Sequence, residues 1–157
     1  VGVDLVSFGG TKIGALAAEA VVVLNSKLLA ESIPFLRKTS MQLPSKMRFV
    51  SAQLIALLQD DLAINNAKHA NAMAKALDAG VRELAAKSNG RVSVPNPTQA
   101  NAVFSMLPKE IIEELQKKYW FYVWDHRTGQ VRWMCAWDTK PEDVEGLLTA
   151  LSEAVGV

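Results

Sequence analysis

Short apolar runs at the start of the chain differ from the helical spacing that follows them. Residues 1–8 and 20–24 are rich in valine and other apolar side chains, which predicts two short buried strands. Between them lies a loop with two consecutive glycines, Gly9 and Gly10, followed closely by Lys12. Consecutive glycines allow backbone angles that other residues avoid and allow close approach to a ligand. The pattern therefore predicts a glycine-rich lysine loop between two strands.

Apolar positions at three- and four-residue spacing then predict helices. Ser26 is suited to cap a first helix, and Pro34 is suited to the first turn of the next one. Residues 45–58 form an amphipathic pattern, and residues 62–87 predict a long helix that connects two domains. Gly80 lies inside this long helix and indicates a bend or a close packing contact.

The last third of the chain alternates between strand and helix signals. The order is β-β-α-β-β-α, which predicts a small α+β domain with a helix-covered sheet. The predicted strands are 92–94, 101–107, 121–124 and 131–137. One helix is predicted from Pro108 to residue 119, and the last helix is predicted to begin after a cap at Asp138 or Thr139. We therefore predict three parts: residues 1–60, a connecting helix at 61–90, and a C-terminal domain at 91–157.

Composition and charge narrow the class of protein. Half of the 157 residues are hydrophobic and the formal net charge is +1, which favours a globular protein and argues against nucleic-acid binding. No apolar run is long enough to span a bilayer. The single cysteine, Cys135, lies among apolar residues, which predicts a buried, inert thiol and a reducing, cytoplasmic location. One cysteine and two distant histidines predict no metal site. Because the chain begins at Val1 inside a strand-like run, we expect it to be the C-terminal part of a longer protein.

Lys12 and Arg132 are the residues best suited to chemistry. A lysine in a cleft is suited to act as a nucleophile, a Schiff-base former or a phosphate ligand, whereas the alternative for Lys12 is a surface lysine on a hairpin-like loop. The pattern alone favours neither. Arg132 lies in the otherwise apolar run 131–137 and needs a partner. That partner is either a bound carboxylate or a salt bridge to Asp125 or Asp138.

Other candidates have simpler interpretations. His69 lies among lysines and asparagines of the long helix, and His126 lies in a polar turn, so surface positions are predicted for both. Lys38, Lys46 and Arg48 form a basic group whose simple interpretation is a solvated helix face. Core packing is predicted for the four tryptophans, which are Trp120, Trp124, Trp133 and Trp137.

Five segments, in order, resemble the threonine aldolase group of the β-eliminating lyase family. These are residues 4–15 (DLVSFGGTKIGA), 45–54, 65–74, 99–104 and 130–139. The lysine of the first segment resembles the family's cofactor lysine, although Ile13 stands where many relatives have asparagine. The likeness extends over nearly the whole chain, and such collinearity is more specific than any one motif.

The resemblance implies a fold-type-I enzyme that depends on pyridoxal 5′-phosphate. The expected fold class is α/β, with the end of the large cofactor domain followed by the small α+β domain. Lys12 would be the Schiff-base lysine, Thr11, Lys38 and Lys46 would lie near the cofactor phosphate, and Arg132 would bind the substrate's α-carboxylate. The family's other cofactor contacts come from an N-terminal half that these residues do not include.

The implied reaction is cleavage of L-threonine, or of a similar β-hydroxy-α-amino acid, to glycine and an aldehyde. The resemblance also implies a homo-oligomer, a dimer or a tetramer, with active sites at subunit interfaces. Two alternatives stay open. One is β-elimination from another amino acid on the same scaffold, and the other is an inactive fragment or an assembly partner.

Overall fold

The computed structural model describes residues 2–157, so Val1, which belongs to the first predicted strand, lies outside the described residues. The chain divides into two compact units, Val1–Asn65 (unit 1) and Asn66–Val157 (unit 2). None of the helices described is long and apolar enough to cross a membrane.

Unit 1 begins with a β-hairpin. Strand β1 (Leu5–Gly9) pairs antiparallel with β2 (Glu19–Val23). Both strands were predicted, but their predicted burial is wrong, because most of their side chains are exposed and Val21 is 59% exposed. A two-stranded sheet needs a packed layer to bury its faces, and the described part of unit 1 does not supply one.

Two helices follow the hairpin, α1 (Lys27–Thr39) and α2 (Met47–Leu58). The predicted cap at Ser26 is confirmed, since its hydroxyl accepts a hydrogen bond from the Leu29 N–H at 3.3 Å. The placement of Pro34 in the first turn of a helix is wrong, because Pro34 lies inside α1. One helix therefore continues across the proline and loses one backbone hydrogen bond there.

The predicted long helix is confirmed as α3 (Leu62–Lys87). It begins in unit 1, and most of its length groups with unit 2. Gly80 marks a close packing contact, because a Cβ at this position would lie 2.4 Å from Leu148 Cδ1. The role of α3 as a connection between domains stays a prediction.

Unit 2 contains a three-stranded antiparallel sheet in the order β3-β5-β4. Its strands are β3 (Ala102–Met106), β4 (Tyr122–Asp125) and β5 (Gln130–Met134). The strand predicted at 92–94 is wrong in extent, because only Ser93 pairs, through a single bridge to Met106. The neighbouring residues Val92 and Val94 instead bury their side chains in the core.

Helices α4 (Lys109–Leu115) and α5 (Pro141–Val155) complete unit 2. Helix α4 is shorter than predicted, since tight turns replace it after residue 115. The predicted cap of α5 at Asp138 or Thr139 is also wrong. The Thr139 hydroxyl accepts from the Ala136 N–H, whereas Lys140 is the cap and its N–H donates to Asp143 at 2.8 Å.

The core of unit 2 lies between one face of the sheet and the helices of the unit. Alternate strand residues point into it, including Val103 on β3 and Val131 and Trp133 on β5. The helices contribute side chains that are likewise almost fully buried, such as Ile111 and Leu151. Because side chains alternate along a strand, Arg132 lies on the opposite face of the sheet.

Candidate active site

The lysine loop is a tight turn between β1 and β2. Residues Thr11–Ile13 form one turn of 3₁₀ helix, and the Gly10 carbonyl accepts hydrogen bonds from the N–H groups of Ile13 and Ala15. A Cβ on Gly10 would lie 2.4 Å from the Ala18 carbonyl oxygen. The loop is therefore folded so closely on itself that a glycine is needed at position 10.

Lys12 itself has an exposed side chain. Within residues 2–157, neither a hydrogen bond nor an ion pair engages its ammonium group. Of the two alternatives for its surroundings, the surface lysine on a hairpin-like loop describes what is observed. Its role as the cofactor lysine stays a prediction, and the amine is free to take that role.

Thr11 is partly committed to the loop. Its backbone N–H donates to the Glu19 carboxylate at 3.3 Å, and its hydroxyl accepts a hydrogen bond from the Ala18 N–H at 3.4 Å. A hydroxyl that accepts one hydrogen bond still has its own hydrogen to donate. The Thr11 hydroxyl therefore binds the backbone of its own loop, and its donation to a phosphate stays a prediction.

The basic group near the two helices of unit 1 is exposed. Lys38 lies in the last turn of α1, Lys46 is the N-cap residue of α2, and neither has an ion pair in the described chain. The guanidinium of Arg48 lies 4.6 Å from the ring centroid of Phe49. The solvated-surface interpretation describes these side chains, and a contact of Lys38 and Lys46 with a phosphate stays a prediction.

Arg132, in unit 2, lies on the central strand of the sheet, and none of residues 2–157 is its acidic partner. Its guanidinium carbon lies 4.6 Å from the ring centroid of Trp124 and 5.4 Å from that of Tyr122. Its Nε atom is buried and has no hydrogen-bond partner among the described residues. The predicted alternative of a salt bridge is wrong for Asp125, which pairs with Arg127, and no ion pair of Arg132 with Asp138 is found in residues 2–157.

The hydrogen bonds from Arg127 explain the acidity of Asp125. The Arg127 N–H donates to one carboxylate oxygen at 2.9 Å, and its guanidinium lies against both oxygens. These bonds stabilise the charged form and lower the pKa of Asp125 below its ordinary value. Asp125 is thereby paired within its own turn, and Arg132 is left with a positive charge that no side chain of unit 2 neutralises.

Sequence reasoning missed the aromatic surroundings of Arg132. Core packing holds for Trp133, which is 3% exposed, but is wrong for the other three tryptophans, which are Trp120, Trp124 and Trp137. The missed signal is the alternation along β4, where Val123 points to the core side. Its neighbours Tyr122 and Trp124 must therefore lie on the outer face.

Among the remaining candidates, the structure contradicts the prediction for His69 and agrees with those for His126 and Cys135. His69 is partly buried and its Nε2 lies 2.7 Å from the Thr139 carbonyl oxygen, so the predicted surface position is wrong. His126 is exposed, as predicted. The predicted burial of Cys135 is confirmed, and burial raises the pKa of its thiol. Residues 2–157 contain no cluster of three or more His, Cys, Asp or Glu side chains that is placed to hold a metal ion.

Comparison with known proteins shows which family this arrangement resembles. The chain is 39% identical over 155 residues to a low-specificity L-threonine aldolase of Pseudomonas aeruginosa, an alignment that covers 99% of the chain. A solved structure described as Leishmania major threonine aldolase superposes with a TM-score of 0.84 at 25% identity and covers 97% of the chain. The chain is related to the threonine aldolases. The predicted family resemblance and the predicted α/β fold class are both confirmed.

A second low-specificity L-threonine aldolase, from a Pseudomonas species, is 37% identical over 146 residues, which is 93% of the chain. The chain spans less than half the length of these threonine aldolases, namely 43% and 40% of the two Pseudomonas proteins and 43% of the Leishmania chain. No family model matches the sequence.

Proposed function

We propose that this chain belongs to a pyridoxal-phosphate-dependent aldolase that cleaves L-threonine, or a similar β-hydroxy-α-amino acid, to glycine and an aldehyde. The observation that carries the proposal is 39% identity to a low-specificity L-threonine aldolase over almost the whole chain. The charged groups of the chain support it, since the Lys12 amine and the Arg132 guanidinium have no ion-pair partner among residues 2–157. The proposal concerns the protein of which these residues are part.

The residues of unit 1 suit the cofactor in chemical terms. Lys12 has a free amine for covalent attachment, and the hydroxyl hydrogen of Thr11 is available to a phosphate oxygen. Lys38 and Lys46 supply exposed positive charge, which suits a phosphate group. When bound, the cofactor withdraws electrons from the substrate's α-carbon, and this is what makes cleavage of the bond to the β-carbon accessible.

Arg132 suits the substrate's α-carboxylate. A guanidinium donates two parallel N–H bonds to a carboxylate, which fixes orientation as well as position. A carboxylate held in this way would orient the bond between the α- and β-carbons of the amino acid. The absence of an acidic partner in residues 2–157 supports this role, because a resident carboxylate would compete with the substrate.

Exposed apolar side chains of unit 1 bear on the assembly of the protein. We infer a homo-oligomer, either a dimer or a tetramer, in a cytoplasmic setting. Exposed apolar side chains in unit 1 support association, since Leu28, Phe35 and Met41 are each more than 70% exposed. Clusters of exposed apolar side chains mark sites of protein contact.

Replacement of Lys12 by alanine tests the proposed function most directly. In the full-length protein with pyridoxal phosphate, Lys12→Ala should abolish the visible absorption band of the lysine-bound cofactor and reduce threonine cleavage to background. The matched control is Lys75→Ala, at an exposed position of α3, which should keep both. A band that persists in Lys12→Ala would refute the assignment of the lysine.

Product analysis separates the proposed reaction from β-elimination. The wild-type protein should release glycine and acetaldehyde from threonine and should give no indole from tryptophan. If tryptophan releases indole and threonine gives no glycine, the lyase alternative on the same scaffold is favoured.

A further inference from the structure

The outer face of the sheet in unit 2 carries a row of aromatic side chains with Arg132 in the middle. Phe104 on β3 pairs with Arg132 on β5, and Arg132 pairs in turn with Tyr122 on β4. Side chains that are paired directly across antiparallel strands lie on the same face. Trp124 lies two residues after Tyr122 and therefore shares this face.

Two of these rings contact the guanidinium directly, and the third supports one of them. The guanidinium carbon of Arg132 is 4.6 Å from the Trp124 centroid and 5.4 Å from the Tyr122 centroid, both within cation–π distance. Phe104 contacts Trp124 edge to face, with ring centroids 5.6 Å apart and planes at 75°. Phe104 thus supports the indole from the side and limits the orientations that Trp124 can adopt.

Aromatic contacts restrain an arginine differently from an ion pair. A carboxylate partner would hold the guanidinium but would also neutralise its charge and occupy its N–H donors. A ring face attracts the cation while leaving its in-plane N–H groups free for a ligand. In Arg132 the Nε is buried, so the terminal nitrogens are the groups that stay available to a carboxylate.

We infer that Trp124 and Tyr122 are positioning residues, which hold the Arg132 guanidinium in a fixed orientation for the substrate's carboxylate. The inference rests on the proposed function and extends it to residues that have no substrate contact assigned to them. It also accounts for two of the three exposed tryptophans of unit 2: Trp124 contacts Arg132, and Trp120 contacts Tyr122 at a centroid distance of 4.7 Å.

The decisive experiment compares three variants of the full-length protein with pyridoxal phosphate. Trp124→Leu removes the ring, Trp124→Phe keeps a ring face, and Trp137→Leu makes the same change at an exposed tryptophan that has no ring or cation contact in the described residues. Trp124→Leu should weaken glycine binding and raise the KM for threonine by about 5- to 30-fold, with kcat within about two-fold. Trp124→Phe should recover most of the affinity, and Trp137→Leu should match the wild type.

A structural readout, independent of catalysis, comes from NMR. The Nε–H resonance of Arg132 should lie upfield in the wild type because of the indole ring current. It should move towards the ordinary arginine value in Trp124→Leu and stay in place in Trp137→Leu. If Trp124→Leu is poorly folded by circular dichroism, Tyr122→Leu replaces it, with Tyr122→Phe as the conservative variant.

The outcomes separate the inference from the proposed function. Arg132→Ala should weaken glycine binding by more than Trp124→Leu does. If Arg132→Ala weakens binding and Trp124→Leu leaves it unchanged, the positioning role is overturned and the function of Arg132 stands. An equal loss in Trp137→Leu, or no recovery in Trp124→Phe, also overturns the positioning role. Unchanged binding in Arg132→Ala overturns both the positioning role and the role of Arg132 in binding the carboxylate.

Discussion

The two units contain similar apolar segments but bury them very differently. In unit 2, alternate residues of the sheet and one face of each helix meet in a continuous core that contains Val81, Val131 and Leu151. In unit 1, Ala18 and Leu57 are the only buried hydrophobic residues among those described. The difference teaches that an apolar strand is buried only when another layer covers it, whatever its own sequence.

The contrast has a consequence for energetics. The hydrophobic effect contributes roughly 25 cal/mol for each Å² of apolar surface removed from water. Unit 2 therefore has a packed interior that stabilises its sheet, whereas the hairpin of unit 1 depends mainly on backbone hydrogen bonds between β1 and β2. Each of the following changes tests one side of this comparison.

A core truncation in unit 2 should have the largest effect. Leu151 on α5 is fully buried, so Leu151→Ala removes apolar contacts and leaves a cavity. We expect a loss of about 2–5 kcal/mol in the free energy of unfolding. Denaturant titration followed by circular dichroism measures it.

The matched control for this truncation is in unit 1. Leu58 on α2 is 66% exposed, so Leu58→Ala should change the free energy of unfolding by no more than about 0.5 kcal/mol. Equal losses in the two variants would contradict the contrast between the units.

A change in the lysine loop should have an intermediate effect. A Cβ at Gly10 would collide with a backbone carbonyl at 2.4 Å, that of Ala18, so the loop must shift to accept Gly10→Ala. We expect a destabilisation of the hairpin of about 1–3 kcal/mol. Hydrogen exchange should accelerate for the amides of β1 and β2 and stay unchanged in unit 2.

The neighbouring glycine provides the control for the loop. A Cβ at Gly9 would meet only the end of the flexible Glu19 side chain, at 3.1 Å, and that side chain can shift at the cost of at most one long hydrogen bond, from the Thr11 N–H at 3.3 Å. Gly9→Ala should therefore alter hairpin exchange much less than Gly10→Ala. Similar acceleration in both variants would show that the close approach to Ala18 is unimportant.

The smallest effect is expected from an ion pair on α3. The Arg82 guanidinium donates to Asp78 at 2.8 Å and the Thr98 hydroxyl donates to its other oxygen at 2.9 Å. Hydrogen bonding by Arg82, followed by the smaller effect of Thr98, lowers the pKa of Asp78 below its ordinary value of 3.8, although burial partly offsets this.

The sign of the pH dependence follows from that lowered pKa. The charged form is favoured in the folded state, so the contribution of Asp78 is present above its ordinary pKa and is lost as the pH falls through the lowered value. At neutral pH, Asp78→Asn should cost about 1 kcal/mol or less, and the difference from the wild type should vanish in acid. Thermal unfolding between neutral and acidic pH checks this.

Local signals in the sequence predicted much of the fold. The long helix α3, the cap at Ser26 and the loop between β1 and β2 were all found, because each depends on neighbouring residues alone. Burial in the hairpin and the extent of the strand at Ser93 were predicted wrongly, because both depend on which distant segments pack or pair there.

The candidate site was predictable only in part. The positions of Lys12 on a loop and Arg132 on a strand followed from glycine and apolar patterns. The aromatic environment of Arg132 did not, because it depends on the register that places Tyr122 of β4 directly opposite Arg132 on the neighbouring strand β5. The roles of both charged residues rest on the family resemblance and on the experiments proposed above.

The buried thiol of Cys135 can report local opening of unit 2 through its rate of chemical labelling. Cys135 is the only cysteine of the chain, and burial both shields it and raises the pKa of the thiol. Reagents that label thiolates therefore react with Cys135 only when the unit opens. The labelling rate then counts opening events of unit 2 alone, with no engineered probe and no signal from the hairpin.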